Sequence, residues 1–388
     1  MLKLFIMIRT ILLLTPVYVA LFWSIALTTN KKKEHTPQLV LSKFMFMSFV
    51  GLSSLYLFLT PVPTLYPYFD CALQFVIGLI FPIFYIYFRL LTVDKKLSFR
   101  THGRYLIVPV LLASIYCVAV LLTPWEEFKT WLFVGNEFSN SPNIQFLSII
   151  RDIIRIQFLI QLFLVIIGNQ ILIKKYGVKV EQFYSDMEEE NYSNAKLMNY
   201  CMALISIITL LAFALWFELS LPINTLLYAF LSISSFMLYM IGYFGIKQKP
   251  INPTFDVTPI KEVMNPLEVI PADSRKKILN KMLVQFEEEK IYLNSQLNIM
   301  DIVQAVGTNR TYISSIINQL YNQNFCTFVN SYRIEELKRI YLENPDYINE
   351  VLADSCGFGS LNSLKRAIMV KTGMTLPEWK KHTMNSQK

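Results

Sequence analysis

The sequence predicts an all-α protein: a seven-helix transmembrane bundle followed by a soluble helical domain with two helix-turn-helix units. Three observations predict it. Seven stretches each supply about 20 mostly apolar residues, enough to cross a hydrocarbon core about 30 Å thick at about 1.5 Å per residue. The last third returns to apolar residues at helical spacing, with no strand-like alternation. Within that third, a glycine-marked break between two helical patterns occurs twice.

Composition supports the first of these. The chain has 388 residues, a mean hydropathy of +0.40 and 16% charged residues, against about 25% charged in ordinary soluble domains. Its formal net charge of +8 favours phosphates or anionic headgroups as neighbours. The expected spans are 10–29, 38–60, 71–92, 105–123, 153–173, 198–218 and 223–245. Pro16, Pro82 and Pro109 fall inside them, which a helix bundle tolerates because neighbouring helices satisfy the freed backbone groups. The first span is long, has no small-x-small cleavage site and ends at Lys31-Lys32-Lys33, so it is expected to remain as a span.

Basic residues set the expected orientation. They follow the first span (Lys31, Lys32, Lys33), the third (Lys95, Lys96, Arg100, Arg104), the fifth (Lys174, Lys175, Lys179, Lys196) and the seventh (Lys247, Lys249). Among the alternate loops, 61–70 and 219–222 have none and 124–143 has only Lys129. This alternation predicts an inner-membrane protein with its N-terminus outside and its C-terminal domain in the cytoplasm. Lys3 and Arg9 weigh the other way.

Arg151, Asp152 and Arg155 stand at the outer mouth of the fifth span, with Gln161, Asn169 and Gln170 deeper. Ionisable residues at membrane depth mark candidate sensing positions; the alternative is that the arginines snorkel to headgroups. Asp152 and Arg155, three apart, are placed to pair on one helix face. The loop 176–197, with Glu188-Glu189-Glu190, reads as solvated. No cofactor and no metal is expected. The five cysteines form no C-x-x-C pair, and His35, His102 and His382 are scattered. Nor is there a phosphate-cradling glycine loop, so an enzyme is not expected.

The domain limits expected are 1–245 for the spans, 246–272 for a linker with Pro250, Pro253, Pro259, Pro266 and Pro271, and 273–388 for the soluble domain. In the last, Ile278, Leu279, Met282, Leu283 and Phe286 form one apolar stripe, and Ile299, Ile302, Val303 and Val306 another. Gly307 then permits a tight turn, and Asn309 is placed to cap the next helix. That helix buries Ile313, Ile316, Ile317 and Leu320 and leaves Arg310, Thr311, Ser314, Ser315 and Asn318 open. The unit at 349–368 repeats the logic. A turn at Cys356-Gly357-Phe358 precedes a helix burying Leu361, Leu364, Ala367 and Ile368, with Ser360, Asn362, Lys365 and Arg366 on its open side. Arginine forks onto guanine, and short polar groups reach bases and phosphates. Residues 325–344 between the units read as one helix, about 27 Å long for about 18 residues, against about 34 Å between successive major-groove openings.

The stretches VGTNRTYIS (306–314), Asn324-Phe325, NSYRIEELK (330–338), CGFGSLNSLKRA (356–367) and KTGMT (371–375) together resemble the AraC/XylS family of bacterial transcription regulators. The resemblance covers roughly the last hundred positions. It implies seven helices in two helix-turn-helix subdomains joined by a linker helix, and sequence-specific binding to double-stranded DNA. Leu364, Ile368 and Leu376 stand where family members usually have Phe, Phe and Pro, and Met369 where a basic residue is common. The apolar exchanges at 364 and 368 should repack at a cost of about 1–2 kcal/mol. Residues 273–388 hold fifteen Lys and Arg against twelve Asp and Glu, so local placement of Arg310, Lys365 and Arg366 matters more than net charge. The leading expectation is a membrane-tethered regulator that couples a membrane or extracytoplasmic signal to promoter binding, alone or as a homodimer. The rival is a transporter or receptor whose C-terminal module binds a protein.

Overall fold

The computed structural model describes residues 2–29, 36–59, 63–94, 96–134, 141–185, 189–218, 223–248 and 272–386. All regular structure among them is helical, in sixteen α-helices. The chain divides into two compact units: 1–174 with 193–253, and 175–192 with 254–388. Most of the expected linker, 249–271, lies outside the described residues, as do Lys31, Lys32, Lys33, Lys95 and Glu188.

The first unit comprises α1 (Leu2–Thr29), α2 (Thr36–Leu59), α3 (Tyr66–Thr92), α4 (Phe99–His102), α5 (Arg104–Leu122), α6 (Trp125–Val134), the first part of α7 (Pro142–Glu181), α8 (Glu189–Glu218) from residue 193 onward, and α9 (Ile223–Lys247). Among the described residues six helical segments are long and apolar enough to cross a membrane: Met7–Thr29, Pro37–Leu59, Tyr66–Thr92, Arg104–Leu122, Pro142–Val178 and Tyr228–Lys247. The remaining expected span, 198–218, falls on α8, where the side chains of 212–218 lie outside the described residues. Pro16, Pro82 and Pro109 sit inside α1, α3 and α5 as expected.

Burial in this unit has the pattern of a lipid-embedded bundle. Phe44, Phe81, Phe84, Tyr87 and Phe88 are packed inside, while Leu111, Val118 and Leu121 of α5 and Ile156, Phe163 and Leu164 of α7 are exposed. Apolar surface on this scale is stable only against another apolar phase. At about 1.5 Å per residue α7 is about 60 Å long, twice the hydrocarbon thickness.

The second unit adds α10 (Ala272–Glu287), α11 (Ile299–Val306), α12 (Arg310–Tyr321), α13 (Phe325–Glu343), α14 (Asn349–Ser355), α15 (Leu361–Thr372) and α16 (Leu376–Asn385). Local chemistry explains the boundaries. Asn298 and Asp301 close a reciprocal capping box on α11. Gly307 ends it at φ 71°, the left-handed geometry that only glycine adopts without strain. Asn309 Oδ1 accepts the Tyr312 N–H at 3.0 Å and starts α12. Ser360 accepts the Ser363 N–H at 3.1 Å and starts α15. Pro377, inside the first turn of α16, has no N–H to lose there.

Helix α13 feeds two separate cores. Phe325, Phe328 and Val329 pack with Met282, Phe286, Ile302 and Ile313. Ile334, Leu337 and Tyr341 pack with Leu352, Phe358, Leu364 and Trp379. Leu364 and Ile368 are fully buried and Leu376 nearly so, so all three are seated in the second core. Leu320, expected inside, is 52% exposed; the last turn of α12 runs past the edge of its core. Glu336, on α13, is bound by Arg339 (2.7 Å) and Lys290 (3.2 Å). Arg339, with help from Lys290, holds its carboxyl below the usual glutamate range.

Gly357 in the turn before α15 has φ 78°, and a Cβ there would lie 2.6 Å from the Leu293 backbone. Gly357→Ala therefore forces a strained conformation and a backbone clash at once. Thermal unfolding of the second unit should show a loss of about 2–4 kcal/mol. A wild-type melting temperature would show that the turn relaxes freely.

Candidate functional site

On α12 the exposed side carries Thr311 and Asn318, with Ser314 and Ser315 half-buried behind them. Asn318 Nδ2 donates to Ser314 Oγ at 3.4 Å. Ile313, Ile316 and Ile317 seat the opposite side in the first core. Asn309 is exposed but its side-chain oxygen is occupied as the helix cap. Arg310 is half-buried, and its guanidinium carbon lies 5.7 Å from the centre of the Phe183 ring. Burial pulls its pKa below the usual arginine value.

On α15 Asn362 and Lys365 are exposed and Arg366 is half-buried, while Leu364, Ala367 and Ile368 face the second core. Ser360 caps the helix and exchanges a 2.7 Å hydrogen bond with the Ser363 hydroxyl. Met369 is 45% exposed. The two sets of predicted residues thus lie at the starts and open faces of two helices, each anchored through its own core to α13. Such a helix offers unpaired N–H groups and a partial positive charge at its first turn, suited to phosphate. Its short polar and basic side chains suit base edges and backbone oxygens.

In the first unit the three predicted sensing residues do not converge. Arg151 lies over the Trp131 ring, 3.9 Å from its centre. Asp152 and Arg155 form the expected pair at 3.0 Å, with both side chains about half exposed, so it adds little to stability. Deeper along α7, Asn169 is fully buried and donates to Asn199 Oδ1 at 3.2 Å.

Two groups escaped the sequence reading. Asp70 is 1% exposed and accepts hydrogen bonds from Tyr66 (2.9 Å) and Tyr116 (2.5 Å). The expected third span began at residue 71, but the helix begins at Tyr66 and draws Asp70 inside. The available signal was a polar stripe at i, i+4 and i+8: Tyr66, Asp70, Gln74. Asp70→Leu strands two phenol hydroxyls in an apolar bundle. It should destabilise the detergent-solubilised protein by about 1–3 kcal/mol more than Asp70→Asn, which keeps an acceptor. Equal melting curves for the two would show that these hydrogen bonds are dispensable.

The second group is QFYS, 182–185, in the loop read as solvated. Phe183 belongs to the first core of the second unit. Tyr184 pairs with Asn298 as an antiparallel bridge, through Ser185 N–H to Leu297 O and Ile299 N–H to Phe183 O, both 2.9 Å. Ser185 is fully buried against Arg333, itself fully buried. Arg333 Nη2 donates to Ser185 Oγ (2.9 Å) and Asn294 O (2.8 Å), Nη1 to Ser185 O (3.3 Å), and Nε to Tyr292 O (2.7 Å). The aromatic pair Phe183-Tyr184 was the only local hint.

Among the described residues no cluster of His, Cys, Asp and Glu could hold a metal ion. No protein-family model, curated protein or solved structure matches this chain.

Proposed function

We propose that this protein is a membrane-tethered, sequence-specific DNA-binding transcription regulator of AraC/XylS type. In this reading the apolar unit spans the inner membrane seven times, with the N-terminus outside and the second unit in the cytoplasm. It senses a signal in or across the bilayer, and the second unit binds promoter DNA, singly or as a homodimer. One observation carries the reading. Two capped helices, α12 and α15, hang on the single helix α13 through separate cores; each offers short polar groups on its open face, α15 adds Lys365, and Arg310 stands at the start of α12. The order of seven helices from α10 to α16 and the quoted motifs support it further. The alternation of basic loops supports the orientation.

The test uses the full-length chain in lipid nanodiscs and a randomised duplex pool. A regulator enriches a short motif, and its log affinity falls linearly with log salt, by roughly 0.9 for each phosphate neutralised. Recovery of no DNA, or of DNA without sequence preference, rejects the reading in favour of a protein-binding module.

A further inference from the structure

The segment 182–185 is separated in sequence from α10 to α16 of its unit by most of α8 and all of α9. It follows directly on α7, the helix of the fifth expected span. Yet it supplies a core side chain, a pair of backbone hydrogen bonds and two of the acceptors of a fully buried guanidinium. A solvated connection has no such contacts. Glu181, at the end of α7, also accepts from Asn324 Nδ2 at 3.5 Å, and Asn324 is the cap of α13. The contacts of this short segment therefore reach α11, α12 and α13 together.

We propose that residues 181–185 are an autoinhibitory strap. Docked, the strap holds Arg310 against Phe183; drawn away by a change in α7, it frees the Arg310 guanidinium for DNA. The inference rests on the DNA-binding reading above. The chemistry makes release feasible. A cation over an aromatic face is held electrostatically, which ties the Arg310 side chain to the strap and limits its reach toward a guanine. When the strap leaves, water reaches Arg333 in place of Ser185, so the buried charge is not stranded. Covalent continuity with α7 links the strap to the membrane unit.

A disulfide tests this in the full-length chain in nanodiscs. Tyr184 and Asn298 form a non-hydrogen-bonded antiparallel pair, whose Cα atoms lie about 4.5 Å apart, within the range of roughly 4.4–6.8 Å that a disulfide spans. Tyr184→Cys with Asn298→Cys, oxidised, locks the strap. The reduced form of the same protein is the control, so loss of the Asn298 cap affects both arms alike. On the motif enriched by the unmodified protein, the locked form is expected to bind about tenfold more weakly, within the usual range of coupling between sites, and reduction restores binding. Phe183→Leu keeps an apolar side chain in the core but removes the ring; it is expected to bind several-fold more tightly than wild type. Failure of the pair to cross-link, equal or tighter binding by the locked form, or an unchanged Phe183→Leu would overturn the strap while leaving the DNA reading intact. If no variant and no wild-type protein binds DNA, the DNA reading itself fails and the strap's role fails with it.

Discussion

Arg333→Ala is expected to remove most of the stability of the second unit, about 3–5 kcal/mol. The reason is the company this side chain keeps. It is 0% exposed, and its donors end on the carbonyls of Tyr292, Asn294 and Ser185 and the Ser185 hydroxyl. Its guanidinium also lies over the Phe358 ring at 5.5 Å, so it touches the second core while closing the first. Truncation takes the donor from Tyr292 O and Ser185 Oγ, while Leu297 N–H still reaches Asn294 O and the Cys326 thiol still reaches Ser185 O; it also opens a cavity, and both are recognised routes to a large loss. Arg333→Lys should rescue little, because a single ammonium cannot place donors where a planar fork does. Ser185→Ala should cost less, about 1–2 kcal/mol, because it removes one hydrogen bond and keeps the backbone acceptor. Amide hydrogen exchange on the full chain reads the effect directly: α11 and α13 lose protection in Arg333→Ala. If they exchange as slowly as in wild type, the buried guanidinium is not what ties 182–185 to the unit.

The second large effect is on binding. On the proposed DNA-binding reading, Arg310→Glu is expected to weaken affinity for the enriched motif by about 100- to 1000-fold. A lost bidentate contact to guanine accounts for about 1–3 kcal/mol, and the new carboxylate adds repulsion from phosphate. The loss of charge should also reduce the salt slope. Arg310 is the first residue of α12, where a carboxylate favours the helix dipole and offsets the lost contact with the Phe183 ring. The fold should therefore stay intact while DNA is lost. Asn362→Ala on α15 should cost about tenfold and relax preference at one position of the motif. Wild-type affinity in Arg310→Glu would remove α12 as a reading helix. An equal loss on every sequence would make Arg310 a phosphate contact rather than a base contact.

Much of this architecture was legible because it is local. A cap, a left-handed glycine and an apolar stripe act within a few residues, so Gly307 and Asn309 mark the end of one helix and the start of the next where the fold has them; the Ser360 cap is seen only in the structure. Leu320 was misjudged because periodicity tells which face it occupies but not where the core ends. Asp70 was missed by the position of one span boundary, and its two tyrosine partners include Tyr116 on another helix. The contact of Ser185 with Arg333, 148 residues later, has no periodic signature at all.

The sequence by itself determined the class of the protein: apolar runs of membrane length, helices with caps, and two polar-faced helices joined by a third. These follow from backbone hydrogen bonding and the partition of side chains between water and oil, which each segment satisfies largely alone. Only the tertiary structure decided that Arg151 turns to Trp131 rather than joining Asp152 and Arg155, that Asp70 lies inside, and that the loop after α7 completes the second unit. Those outcomes depend on which distant segment satisfies a buried donor or fills a gap in a core, and that competition is settled by packing in three dimensions.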